Sequence, residues 1–174
     1  MMPKKVARMI LVVVMAVVIA LSMIFLWPVS SFEKERDLPV LYQKVAEYLM
    51  DDYLIKFDAI HQTEGEVALF DFYKVDLSEE QREKILEYLE KKYPPIKFNE
   101  PVQMANGGHI VGSYPVCEIR DLYRMKAWGR YYQAVFCQLQ WTDEHGWLQS
   151  TQFKLFYVFE HGQWKFLEES YANY

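Results

Sequence analysis

The chain has 174 residues, 19 basic and 24 acidic, for a formal net charge of −5, and 52% of its residues are hydrophobic. That balance excludes a nucleic-acid binder, which needs a basic surface to neutralise phosphates. All the acidic residues lie beyond Ser30, so this part of the chain is more acidic than the whole. Its size suffices for one domain with a real core.

The first element is the apolar run Met9–Trp27, in which Ser22 is the only polar side chain. At ~1.5 Å per residue it predicts a helix of roughly 28 Å, close to a ~30 Å hydrocarbon layer. Lys4, Lys5 and Arg8 precede it, and no positive excess follows. The asymmetry predicts a cytoplasmic tail over 1–8, a transmembrane signal-anchor over 9–27, a linker over 28–36 and an exported domain over 37–174. Membrane lipid is then a partner through the N-terminal helix. The alternatives are secretion after cleavage near Ser31, at Val29-Ser30-Ser31, and a buried core helix.

From Asp37 to Phe57 apolar residues recur at helical spacing: Leu38, Leu41, Val45, Leu49 and Tyr53. Asp37 is a candidate cap, and Pro39 falls in the tolerant first turn. Asp51 and Asp52 read as solvated surface. A turn around Gly65 leads into a strand from Val67 to about Val75. Ser78–Lys92 is the clearest helix: Ser78 and Gln81 form a capping box, with Glu79 and Glu80 in the first turn and Lys91 and Lys92 in the last. Ile96-Lys97-Phe98 predicts a short edge strand.

The segment 99–115 is irregular and contains Asn106-Gly107-Gly108. His109 in this loop is the candidate loop site, because long loops in compact domains are often functional. Strand-like alternation resumes at Val116, with Gly129 read as a break or bulge. Arg130–Trp141, Trp147–Phe159 and Trp164–Leu167 follow, joined by short Gly-containing turns, which predicts an antiparallel meander. Cys117 and Cys137 lie in strand-like sequence, open to a disulfide or to two buried thiols. No paired-ligand spacing suggests a metal, and no cofactor motif is present.

These elements predict an α+β domain, with helices packed on a curved antiparallel sheet. The closing hairpins, with Gly162-Gln163-Trp164-Lys165 entering the last strand, resemble the end of an NTF2-like or cystatin-like domain. That resemblance implies a helix wrapped by a sheet, often around a conical pocket. Behind a single anchor it also resembles membrane-anchored components of bacterial secretion and conjugation machines. Their Asn-Pro-x-Gly element is not found here, so the likeness stops at architecture.

Three functions follow as expectations. The first is a non-catalytic scaffold that binds a protein partner or self-associates, with Trp128, Tyr131, Tyr132, Trp141 and Trp147 as surface anchors. The second is a ligand pocket between helix and sheet, lined by Tyr132, Phe136, Gln138, Gln149 and Phe153. The third is an enzyme using Asp121, Arg124 and His109. It ranks last because no nucleophile elbow, HExxH or phosphate loop occurs.

Overall fold

The computed structural model describes residues 4–26, 32–57, 59–60, 66–101, 114–143 and 145–171. His109 and the cleavage candidate Val29-Ser30-Ser31 lie outside the described residues.

Helix α1 spans Lys4–Leu26. Its side chains are described over Met9–Met23, where nearly all are exposed. Among the described residues, no helix is long and apolar enough to cross a membrane. The expected single-pass anchor is therefore not supported. With it go the lipid partner, the cytoplasmic N-terminus and the exported, anchored scaffold.

Helix α2, Lys34–Leu49, starts three residues before Asp37. Glu33 is its N-cap residue, and the Asp37 carboxylate reaches back to accept the Glu33 N–H at 2.7 Å. Its buried stripe includes Leu38, Leu41, Tyr42, Val45, Ala46 and Leu49. Helix α3, Glu79–Lys92, has the expected capping box: Ser78 Oγ accepts the Gln81 N–H at 3.3 Å, and Gln81 Oε1 accepts the Ser78 N–H at 2.9 Å.

Six strands form one open sheet: β1 Val67–Lys74, β2 Lys97–Asn99, β3 Val116–Ala127, β4 Arg130–Thr142, β5 Leu148–Glu160 and β6 Gln163–Tyr171. Their order is β2-β1-β3-β4-β5-β6. Strands β3 to β6 make the meander. The Trp128-Gly129 and His161-Gly162 turns have positive φ at both residues (55° and 68°, 52° and 79°), the geometry of tight hairpin turns that follow strand twist. Gly129 is thus a hairpin turn, not a break within a strand.

The other half departs from expectation. β1 pairs in parallel with both β2 and β3. α3 is the crossover between β1 and β2, as parallel neighbours require a long connection. Among the described residues the sheet is mixed, with β2 and β6 at its edges, and is not curled or closed. The NTF2-like or cystatin-like wrapped sheet is thereby corrected, while the α+β class stands.

The core lies between the sheet and α2 with α3. Phe70, Phe72, Ile119, Val135, Leu139, Phe153 and Leu155 meet the helix stripes there. At one end the buried Trp164 donates its indole N–H to the Asp37 carbonyl at 2.7 Å, tying β6 to the start of α2. Trp164→Phe should cost about 1–2 kcal/mol in urea unfolding, the worth of a buried hydrogen bond plus the imperfect fit. An unchanged midpoint would show that this tie contributes nothing.

Candidate functional site

Two backbone irregularities face one another across a groove between α2 and β6. The first ends α2. Residues Met50–Leu54 form a π-helical turn, which we call the π-turn, with the Ile55 N–H donating to the Met50 carbonyl at 2.9 Å. Such turns insert one extra residue into a helix and are frequent at functional sites. Here the turn buries Met50, Tyr53 and Leu54 while Asp51 and Asp52 stay exposed.

The second irregularity lies in β6. Tyr157 pairs with Phe166, but Phe156 pairs with Glu168 and Leu155 with Glu169. This register shift is a bulge, and it resets the alternation of the strand. Phe166 and Glu169, three residues apart, both sit opposite helix-facing residues of β5. Strict alternation would have turned Glu169 to the far face.

The two irregularities meet through hydrogen bonds. Tyr48 Oη donates to Glu169 Oε2 at 2.7 Å, and Tyr53 Oη donates to Glu169 Oε1. The Tyr171 hydroxyl lies 3.2 Å from that of Tyr53. The rings stack in turn: Tyr53 on Phe153 at 4.4 Å between centroids, and Tyr48 on Phe166 at 5.3 Å. Burial, and then the Glu169 carboxylate, push the Tyr48 and Tyr53 phenols far above their ordinary range. Both therefore stay protonated donors.

Two hollows flank Tyr48. One, of about 240 Å³, is lined by Glu47, Asp51, Asp52, Tyr157 and Phe166 among others. The other, of about 90 Å³, is lined by Asp52, Tyr53, Lys56, Glu169 and Tyr171 among others. Tyr48 and Asp52 border both. A larger furrow of about 450 Å³ runs between α2 and α3, past Glu35, Arg36, Gln81 and Lys84. Its polar groups are already engaged: Arg36 with Asp37, Lys84 with Glu80, and Gln81 with Glu35. The Tyr48 groove differs, because the Asp52 carboxylate has no ion pair or hydrogen bond among the described residues.

The expected pocket residues do not form one site. In the unbroken β4–β5 register, Tyr132, Phe136 and Gln138 pair with Val158, Lys154 and Gln152, whereas Gln149 pairs with Trp141 and Phe153 with Cys137. The first three thus face away from the helices, and Gln149 and Phe153 face toward them. Phe153 is fully buried beneath Tyr53, so the helix–sheet interface is packed at that point. Gln149 instead donates to Asp143 across its hairpin at 2.7 Å. On the far face Arg120 lies 5.6 Å over the Phe136 ring and pairs with Glu118.

Cys117 and Cys137 are buried free thiols. Cys117 sits opposite Leu139 and Cys137 opposite Ile119, a diagonal rather than a direct pair. Burial raises both thiols well above their ordinary range. Asp121 and Arg124 do come together, but in an internal network: Asp121 accepts from Tyr42 and from Gln133 at 2.7 Å, and Arg124 donates to Gln133 at 2.8 Å. Of the aromatic anchor candidates, Trp128 and Trp147 are 70% exposed. Tyr131 packs on Phe32, and Trp141 on Phe57. Among the described residues no three His, Cys, Asp or Glu side chains converge on a metal position.

The chain matches no family model, no curated protein and no solved structure. The groove must be read from its own chemistry.

Glu47, on the groove wall, shows the local balance. Burial works to raise its pKa, but the Tyr88 hydroxyl and then the Lys92 ammonium, 3.4 Å away, bring it below the ordinary carboxylate value. A depressed folded-state pKa gives stability that is present above the unfolded value, 4.5, and lost as pH falls through the folded one. Glu47→Gln should therefore lower stability near neutrality, converge on the parent at low pH, and so flatten the acid side of the stability–pH curve. An acid limb as steep as that of the parent would contradict this.

Proposed function

We propose that the domain is a non-covalent binding module whose Tyr48 groove takes a cationic group, an ammonium or guanidinium on a small molecule. One observation carries the reading: two independent backbone irregularities, the π-turn and the β6 bulge, both direct carboxylates and phenol rings into the same groove. Each irregularity disrupts regular hydrogen bonding, so their convergence favours a selected site. The chemistry suits a cation. Tyr48 and Phe166 supply ring faces, whose negative quadrupoles attract positive charge. Asp52 and the remaining acceptor capacity of Glu169 supply acceptors, while Glu47 is paired with Lys92 and Asp51 accepts from Tyr93 at 2.9 Å. Lys44 lines the larger hollow and Lys56 the smaller, and acidic groups outnumber them in each.

Turnover is not part of this reading. The groove offers acceptors and ring faces, and the chain's two thiols are buried elsewhere. Binding without reaction is what the groove's groups favour.

The test is an NMR titration of the full chain with pentylamine and with pentanoate, its anionic counterpart. Pentylamine should shift the signals of Tyr48, Tyr53 and Phe166, and pentanoate should not. Added salt should weaken the effect, because the groove is open to screening. Asp52→Asn should weaken pentylamine about threefold to fivefold, the scale of one exposed ion pair. Equal responses to both probes, or none to the amine, would overturn the reading.

A further inference from the structure

The tip of the β4–β5 hairpin presents a large apolar ring on a fixed backbone. The Asp143 N–H donates to the Trp147 carbonyl at 2.9 Å, and the Trp147 N–H donates to the Asp143 carboxylate at 2.9 Å. The same carboxylate accepts the His145 N–H at 3.0 Å. Both backbone groups of Trp147 are thus engaged, yet its indole is among the most exposed side chains described. A ring held in water adds no burial to the fold, and exposed apolar surface on a rigid support marks a binding face.

Register gathers two further side chains beside it. Gln149 pairs directly with Trp141, and Trp147 lies two residues before Gln149, so alternation puts all three on the helix-facing side of the sheet. The amide therefore stands between two indoles. Phe57 stacks on Trp141 with 16° between the ring planes and fixes that wall. Asp143 orients the amide, accepting from Gln149 Nε2 at 2.7 Å. An amide has two N–H donors and an acceptor oxygen, so one N–H and Oε1 stay open to a ligand.

Such a site asks for a ligand with a flat C–H face and a polar rim. A purely apolar ring would stack on Trp147 but leave the oriented amide unpaired, which costs affinity. A nucleotide strand is disfavoured beside Asp143 on an acidic chain. A pyranose with equatorial hydroxyls has both features: axial C–H bonds on its faces and hydroxyls around its edge. We propose that this hairpin is a carbohydrate-binding site, in which a neutral pyranose stacks on Trp147 while Gln149 hydrogen-bonds its hydroxyls. The proposal does not rest on the cation-binding reading of the Tyr48 groove.

An NMR titration of the full chain tests it, with cellopentaose, an oligomer of such pyranoses, and with sorbitol, which carries hydroxyls but no ring. Cellopentaose should shift the indole N–H signals of Trp147 and Trp141 and the side-chain amide of Gln149, and sorbitol should not. Trp147→Ala, at an exposed position that the fold tolerates, should weaken binding about tenfold or more, the scale of a lost ring contact. Gln149→Met, which keeps the side chain's length, should weaken it about fivefold, the scale of a lost hydrogen bond. No response to cellopentaose, an equal response to sorbitol, or an affinity unchanged in Gln149→Met would overturn the proposal. Trp147 signals that move on dilution of the protein alone would assign the ring to contact between copies and overturn it as well.

Discussion

The attachment of α2 to β6 governs the geometry of this domain. Trp164 holds the first turn of α2 through the Asp37 carbonyl, and Tyr48 and Tyr53 hold its far end through Glu169. Between those ends the apolar stripe of α2 rests on β4 and β5. A helix docked by apolar contacts alone can slide and roll at modest cost, because the hydrophobic effect is non-directional. Directional hydrogen bonds at both ends set its height and rotation. The groove is the space between these two restraints, and its carboxylates are placed to within the tolerance those bonds impose.

The restraint at the far end is unusual in using phenols on a carboxylate. Two Tyr hydroxyls on one carboxylate satisfy part of its acceptor capacity, and a carboxylate has about four lone-pair sites. Glu169 is thus anchored yet still able to accept from a ligand. The Tyr53 ring is sandwiched against Phe153, so the donor has little rotational freedom to lose. Positioning a charged acceptor on a stacked, packed donor gives a site that needs little reorganisation, which is where binding energy is otherwise spent.

Much of the architecture was legible because it follows local rules. The capping box at Ser78 and Gln81, the apolar stripe of α2 and the Gly-containing hairpins each have a physical signature a few residues long. The parallel pairing of β1 was not legible. Nothing local distinguishes a strand that pairs in parallel from one that pairs antiparallel, and the β1–α3–β2 crossover shows only once β2, three residues long, is placed. The site escaped for a sharper reason. Reading by periodicity assumes 3.6 residues per turn in a helix and strict alternation in a strand. Tyr53 is buried and Asp52 exposed, as helical spacing expects, whereas the β6 bulge breaks strand alternation at Glu169. Asp51-Asp52 read as solvated surface, and both are exposed; that Asp52 borders the Tyr48 groove had no local signal. Glu169 carried no signal, because alternation from Trp164 and Phe166 points it away from the helix. The same parity divides the five expected pocket residues between the two faces of β4 and β5.

Both irregularities are needed together. With a regular end to α2, Tyr53 rotates off the line to β6 and loses either Phe153 or Glu169. With a regular β6, Glu169 turns to the far face, and the Tyr48 and Tyr53 hydroxyls lose their acceptor beside the buried Phe153. A phenol stranded there costs on the order of 1–3 kcal/mol, so one irregularity without the other is worse than neither. The groove is therefore a coupled unit, in which helix and strand each depart from regular geometry in a way that only the other makes stable. The coupling buries Met50, Tyr53 and Leu54 in the core and stacks Tyr53 on Phe153. It also leaves Asp52 exposed, with no ion pair or hydrogen bond among the described residues, where it borders both hollows.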